Sequence, residues 1–227
     1  MSVLLHISAS PRAHASHSRR VGRQLVEQLQ RVHADRLKVV KRDLAEQPPP
    51  YPGRAFVDAA LMRKAERGEV QAEALTLSET LIGELESAGT LVIDTPMHNF
   101  TVPAVLKAWI DHVVRIGRTF RSTREGKVGL LSDRPVFMVI ACGGPVPEPP
   151  TATGQVDFLT PYLSYVLATI GLRNVSVLRL DSLTRGDAHV AQADAHAAEW
   201  IAEAAANWRI AREVEEAGQN AGGAAVR

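Results

Sequence analysis

The chain has only one cysteine, Cys142, among its 227 residues. A single thiol cannot form a disulfide within the chain, and it excludes a metal site built from cysteine ligands. No apolar run approaches the roughly 20 residues that a membrane-spanning helix needs. No basic region precedes the short apolar run at the N-terminus, as a signal peptide would require. We therefore expect a cytoplasmic protein with no metal site and no membrane partner.

An excess of charge of one sign is also missing. Lysine and arginine number 26 against 25 aspartate and glutamate, so the formal net charge is +1. A nearly neutral chain lacks the field that would hold nucleic acid or an anionic membrane. Hydrophobic residues make up 45% and charged residues 22% of the chain, which is typical of an ordinary globular protein.

Apolar runs and periodic patterns predict strands that alternate with helices. The strands are expected at residues 3–7, 37–44, 90–94, 136–141 and 175–180, and the principal helices at 18–32, 69–87, 102–116, 161–170 and 187–216. This order predicts one α/β domain, residues 1–216, with a five-stranded, doubly wound parallel sheet and helices on both faces. Proline-rich residues 47–53 and 145–150 are expected as irregular loops, and residues 217–227 as a disordered tail.

The loop after the first strand lacks the glycine-rich nucleotide motifs. Residues 8–18, SASPRAHASHS, contain neither G-x-G-x-x-G nor a Walker lysine, which argues against an NAD-type Rossmann site and an NTPase. Free backbone N–H groups and the helix dipole favour a dianion at the start of the following helix. Ser10, Ser16 and Ser18 add hydroxyl donors. The loop suits a compact monophosphate, as at the end of FMN; alternatively, these serines only cap the helix.

The loops after the first, third and fourth strands are expected to meet at one edge of the sheet, where doubly wound proteins bind ligands. In the second loop, Met97 and Phe100 offer apolar surface for a flat ring. The Asn99 side chain offers both an acceptor and donors for a uracil-like edge. In the third loop, Gly143 and Gly144 let backbone N–H groups approach the N1–O2 edge of a flavin. The alternatives are core packing for Met97 and Phe100 and ordinary turns for the asparagine and the glycines.

Several motifs, in this order and spacing, resemble one family over about residues 2–205. They are Ser10, Ser16-His17-Ser18, Pro96-Met97-His98-Asn99-Phe100, Leu106-Lys107, Gly117-Arg118-Thr119-Phe120, Gly143-Gly144 and Thr160-Pro161-Tyr162-Leu163. The sequence resembles the FMN-dependent NADH-azoreductases, which are flavodoxin-like quinone and azo-compound reductases. The resemblance implies non-covalent FMN, a nicotinamide donor (NADH or NADPH), and a homodimer with active sites at the subunit interface.

The loops and the resemblance together define the expected site. The FMN-binding residues are expected to be Ser10, Ser16, His17, Ser18, Pro96, Met97, His98, Asn99, Phe100, Ala141, Cys142, Gly143 and Gly144. Phe100 and Phe120 are expected to form the walls of a substrate slot. The chemistry belongs to the cofactor, so no catalytic residue is required, although His98 is a candidate proton donor; alternatively, it only packs beside the flavin.

The chain departs from the family pattern at two places. His98 stands where the family usually has tyrosine, and Ala141-Cys142 stands where serine and a polar residue are common. Both changes bear on the flavin potential and on substrate preference.

Three other functions compete with the reductase. A cysteine hydrolase or phosphatase that uses Cys142 is rejected because no arginine follows the cysteine within its loop. A flavodoxin-like electron carrier is disfavoured because carriers tend to be short and acidic. A general FMN reductase without quinone or azo specificity remains open.

One helix motivates the expected homodimer. Residues 102–116 carry Val105, Leu106, Trp109, Ile110, Val113 and Val114. This is more apolar surface than one sheet face is expected to cover, so a second copy is expected to bury the remainder.

Overall fold

A computed structural model describes residues 2–33 and 36–224, and the side chains as far as residue 214. The strands are β1 (Ser2–Ser8), β2 (Leu37–Asp43), β3 (Thr90–Pro96), β4 (Phe120–Thr123), β5 (Gly126–Gly129), β6 (Val136–Ala141) and β7 (Val175–Leu180). The α-helices are α1 (His17–Val32), α2 (Arg54–Leu61), α3 (Glu69–Ser87), α4 (Ala104–Val113), α5 (Leu159–Ile170) and α6 (Asp187–Ala224). Short 3₁₀ turns lie at Ala13–Ala15 and Lys64–Glu66.

Five parallel strands form the main sheet in the order β2-β1-β3-β6-β7. This order is the flavodoxin-type doubly wound arrangement, in which the chain direction across the sheet reverses beside β1. The predicted fold class is confirmed. Each strand of the main sheet is followed by a helix that returns the chain toward the amino ends of the strands, so the carboxyl ends of β1, β3 and β6 lie at the same edge.

Helices cover both faces of the sheet because strand residues alternate between them. Leu5, Ile7, Leu91 and Ile93 pack with α3, α4 and α5 on one face. Leu4, Val92, Phe137 and Val139 pack with α1 and α6 on the other. Continuous burial of β6 explains its unbroken apolar sequence, and β3 is buried from Thr90 to Thr95 although Asp94 interrupts its apolar run.

The prediction that α4 carries more apolar surface than one sheet face can cover was wrong. Leu106, Trp109, Ile110 and Val113 are all buried within the chain's own core. The segment before α3 also packs against α4, since Phe56 meets the His112 ring edge-on at 4.7 Å. This helix therefore leaves little apolar surface for a second copy.

Two local features also differ from the sequence predictions. Helix α6 continues to Ala224 rather than ending near residue 216, and residues 225–227, part of the predicted tail, lie outside the described residues. Strands β4 and β5 form an unpredicted antiparallel hairpin. Its two turn residues are Arg124-Glu125, and Gly126, which begins β5, has a φ of 128°. Within the described residues, no helix has the length and hydropathy to cross a membrane.

Candidate functional site

Three loops are joined side by side at the carboxyl edge of the sheet. The Ala9 N–H donates to the Asp94 carbonyl at 3.0 Å, and the Met97 N–H donates to the Ala141 carbonyl at 2.8 Å. The Cys142 N–H continues this series by donating to the Leu180 carbonyl at 2.7 Å. The strand ladder therefore fixes the relative positions of the loops that follow β1, β3 and β6, and brings together the predicted site residues of all three.

The first loop buries its serine hydroxyls at the start of α1. Ser10, Ser16 and Ser18 are all buried. The Ser16 hydroxyl accepts a hydrogen bond from the Arg19 N–H at 3.3 Å and lies 3.2 Å from the Ser18 hydroxyl. Ser16 is thus the helix N-cap, as the alternative interpretation held. The Ser10 hydroxyl accepts from the Arg12 N–H at 3.4 Å and does not cap the helix, nor does that of Ser18. The hydroxyl proton of Ser10 has no acceptor among the described residues, and both serines suit a phosphate at this helix end.

His17 is the first residue of α1, and it carries an unsatisfied polar atom. Its Nδ1 is buried and has no hydrogen-bond partner among the described residues. Burial lowers the pKa of this imidazole, and the neighbouring Arg20 lowers it further. A buried polar atom without a partner is costly. An anionic group at the helix N-terminus would supply a partner for it.

The second loop holds two non-glycine residues in the left-handed region. Asn99 has φ of 46° and Phe100 has φ of 72°. Residues so placed cost about 1–3 kcal/mol each and concentrate at ligand sites. Reciprocal backbone hydrogen bonds between His98 and Thr101, at 2.9 and 3.0 Å, hold the turn. Its conformation leaves Phe100 48% exposed at the edge of the sheet, available to a flat ligand.

The third loop differs from expectation in how its N–H groups are used. The Gly144 N–H donates to the Gln155 side-chain oxygen at 3.2 Å, so it is already occupied within the chain. The Gly143 and Gly144 carbonyls accept hydrogen bonds from Thr184 and Ser182, respectively. The sequence alone gave no signal that Gln155 would return to this loop.

Cys142 in the same loop is inaccessible. Its side chain is buried, and burial raises the pKa of the thiol to about 12. A thiol that stays protonated at neutral pH is a poor nucleophile. The geometry agrees with the rejection of a cysteine hydrolase.

A buried polar cluster that sequence reasoning missed lies beneath α1. Asp94 is fully buried, and its Oδ2 accepts a hydrogen bond from the Ser8 hydroxyl at 2.7 Å and lies 2.6 Å from His6 Nε2. Helix α1 passes directly over this carboxylate at Gly22, where an added Cβ would lie 2.7 Å from Asp94 Oδ2. The cluster fixes where α1 packs against the sheet and hence the position of the first loop. An aspartate at the end of an otherwise apolar strand was its only signal.

Phe120 is separated from the other predicted site residues within one chain. It begins β4, which follows α4 and pairs with β5. The hairpin leads to Leu131, whose N–H donates to the Ile170 carbonyl at the C-terminal end of α5. That end lies at the edge of the sheet opposite the three loops. Phe120 is also buried, so it cannot line a slot at the loops of its own chain.

The sheet order and the loop of buried serines at the start of α1 are those of a flavodoxin-like protein. A family model described as having a flavodoxin-like fold matches residues 2–204. FMN-dependent NADH:quinone oxidoreductase 2 of Cupriavidus pinatubonensis is 53% identical over 192 residues, which are 85% of this chain and 92% of that relative. FMN-dependent NADH:quinone oxidoreductase 4 of Pseudomonas fluorescens is 46% identical over 187 residues, 82% of this chain and 87% of the relative.

Similarity to solved structures supports the same fold. An FMN-dependent NADH-azoreductase from Bacillus anthracis in complex with FMN superposes with a TM-score of 0.80 at 22% identity, covering 92% of this chain and all of that chain. The chain belongs to the flavodoxin-like family, and within it to the group of FMN-dependent NADH:quinone oxidoreductases.

Proposed function

We propose that this protein is an FMN-dependent NADH:quinone oxidoreductase that also reduces azo compounds. The observation that carries the proposal is the meeting of three loops at the carboxyl edge of the sheet. One has buried hydroxyls at a helix N-terminus, and one has Phe100 exposed on a strained turn. Relatives that are 53% and 46% identical carry FMN-dependent NADH:quinone oxidoreductase names, which supports the cofactor, the donor and the acceptor class.

When bound, FMN would supply the two-electron hydride chemistry between the nicotinamide and the acceptor. The chain's own part is to bind and orient the cofactor. Ser10, Ser16, Ser18 and the start of α1 would hold the phosphate, with His17 beside them. Met97, Asn99 and Phe100 would contact the ring. In this proposal the nicotinamide leaves before the acceptor enters the same open slot, which gives ping-pong kinetics.

His98 remains a candidate proton donor in this proposal. Its side chain is exposed, while its backbone is fixed by the hydrogen bonds with Thr101. An exposed imidazole can exchange protons directly with water. Proton donation by His98 stays a prediction, and the alternative is that the side chain only packs beside the flavin.

A homodimer belongs to the proposal, but α5 replaces α4 as its physical basis. Phe158, just before α5, and Tyr165 within it are 58% and 69% exposed. Together with the half-buried Tyr162 they have the i, i+4, i+7 spacing of one helix face. We call these three residues the α5 stripe. Exposed Val128 and Leu130 lie by the far end of α5, so apolar surface extends from one edge of the sheet to the other.

Antiparallel packing of two α5 stripes would also explain Phe120. A two-fold interface places the same surface on both copies. The hairpin end of one copy would then lie beside the carboxyl edge of the other. In this arrangement the hairpin that carries Phe120 would lie near the slot of the second copy, and Phe120 would have to gain exposure from its 8% to line that slot.

The expected cytoplasmic location accords with the use of NADH and stays a prediction.

The function is tested by a titration followed by turnover. The purified protein is expected to bind FMN but not FAD, since the first loop suits one phosphate and lacks a pyrophosphate motif. With FMN bound, NADH should reduce a benzoquinone and an azo dye with many turnovers. Failure to bind FMN would overturn the proposal. Rapid reduction of free FMN, with no faster reduction of quinone or dye, would identify the general FMN reductase instead. Slow turnover with every small acceptor would identify the electron carrier.

A further inference from the structure

Gln155 lies against the third loop although it is eleven positions beyond Gly144 in the sequence. Its N–H donates to the Pro145 carbonyl at 2.9 Å, which closes the intervening segment into a loop. Its side-chain oxygen accepts from the Gly144 N–H at 3.2 Å. A Cβ placed on Gly144 would lie only 3.0 Å from the Gln155 Cδ. The amide of Gln155 therefore covers the glycine at the position expected to meet a flavin.

The hydrogen bond from Gly144 fixes which way the amide points. A backbone N–H can only donate, so the Gln155 oxygen must be the atom that faces it. The amide nitrogen then points away from the glycine. Among the residues that the structure describes, no acceptor binds this nitrogen, and Gln155 is only partly buried. Two N–H donors are thus directed away from Gly144, with no acceptor among the described residues.

Anchors on the C-terminal side hold Gln155 between the third loop and the second. The Asp157 carboxylate accepts from the Thr160 N–H at 2.8 Å and from Arg179 at 3.3 Å. The Phe158 N–H donates to the Phe100 carbonyl at 3.1 Å. The segment from 155 to 158 therefore bridges the two loops that are proposed to contact the ring.

We propose that the Gln155 amide donates a hydrogen bond to the pyrimidine edge of bound FMN and stabilises the negative charge that gathers there on reduction. The inference rests on the proposed function. It assigns to a side chain the contact that sequence reasoning gave to the Gly144 N–H, which is already used. A donor favours the reduced flavin over the oxidised flavin because hydrogen bonds to charged groups are stronger than those to neutral ones.

The test is the two-electron reduction potential of the FMN-loaded protein and of three variants. Gln155→Leu removes the donor and the acceptor. Gln155→Glu keeps an acceptor for Gly144 but replaces the donor by a negative charge. Gln192→Leu, on an exposed part of α6, is the matched control. FMN affinity and thermal melting are measured alongside, so that a folding defect is recognised.

The potential is expected to fall from wild type to Gln155→Leu and further to Gln155→Glu, with the control unchanged. Loss of a hydrogen bond to a charged group corresponds to roughly a tenfold or greater weakening of reduced relative to oxidised FMN. For two electrons a tenfold change is about 30 mV. A purely structural role predicts instead that Gln155→Leu lowers stability or FMN affinity with no fall in potential, because loss of the acceptor for the Gly144 N–H favours neither oxidation state.

Equal potentials in wild type and both Gln155 variants would overturn the inference, as would a Gln155→Glu potential equal to wild type beside an altered Gln155→Leu. Either result would leave the proposed function intact, since FMN would still be bound and reduced. Failure of the wild-type protein to bind FMN would overturn the function itself.

Discussion

Ser16 and Ser18 show how one residue type serves structure and binding together. Ser16 caps α1 through the Arg19 N–H, and its hydroxyl lies beside that of Ser18. Replacing both by alanine should weaken FMN binding tenfold or more, because hydrogen bonds to a charged group contribute about 1.5–3 kcal/mol each. Loss of the cap should also lower the free energy of unfolding by about 1 kcal/mol.

Fluorescence titration of FMN with the double variant, together with thermal melting, separates these two effects. Ser18→Ala alone is the informative control, because Ser18 does not cap the helix. Lower stability with unchanged FMN affinity would show that the serines act only as caps.

His17 predicts a pH dependence of cofactor binding. Burial, then Arg20, lowers its pKa in the described structure, with Asp194 opposing and Arg12 adding to the shift. A phosphate dianion beside the ring would raise this pKa, so binding should take up a proton. FMN affinity should therefore increase as pH falls through the pKa that His17 has in the FMN complex. This increase comes on top of any change due to the phosphate itself.

The measurement is FMN affinity against pH for wild type and His17→Gln, which keeps a polar side chain but does not titrate. Subtracting the variant's curve removes the phosphate's own titration, whose ordinary pKa is about 6. Two curves of the same shape would show that His17 does not face the phosphate.

At the scale of elements, α1 depends on its close approach to β3. Glycine within a helix normally weakens it relative to alanine. At Gly22 the order is reversed, because an added Cβ would lie 2.7 Å from the buried Asp94 carboxylate. Gly22→Ala should lower the free energy of unfolding by about 1–3 kcal/mol, as overpacking does, and weaken FMN binding by shifting the first loop.

Gly83→Ala is the matched control for this substitution. Gly83 is also helical, in α3, but an added Cβ there meets nothing within 4 Å. This variant should be more stable than wild type by about 0.5–1 kcal/mol. Urea unfolding of both variants tests this difference in stability. A Gly22→Ala protein more stable than wild type would contradict the close packing of α1 on Asp94.

At the scale of the whole molecule, some apolar surface remains outside the core. The α5 stripe is exposed although both sheet faces are covered. Tyr165→Glu should convert the proposed homodimer to monomer, since a charge at the centre of an apolar interface is left unpaired. Sedimentation velocity measures this directly.

Val70→Glu provides the comparison, because Val70 is similarly exposed but lies on α3. It should leave the sedimentation coefficient unchanged. A wild-type monomer with full quinone reductase activity would refute the dimer, and a dimer that persists in Tyr165→Glu would place its interface elsewhere.

Local sequence patterns were enough to predict the fold class and to place the three loops. Unbroken apolar runs such as 136–141 are characteristic of strands buried on both faces, and their alternation with helices leaves few topologies. Parallel strands bring their carboxyl ends to one edge, so the loops beginning near Ser8, Pro96 and Ala141 could be placed together without coordinates. These are properties of local pattern and chain direction.

Contacts between side chains that are far apart in the sequence could not be predicted and are visible only in the folded chain. The reach of Gln155 to Gly144, the seating of Gly22 on Asp94 and the burial of Trp109 each join segments whose local sequences carry no sign of one another. The same is true of Phe120, whose motif suggested the site but whose hairpin lies at the opposite edge. Such contacts depend on how whole elements pack, because a side chain's partner is set by distance in space rather than along the chain.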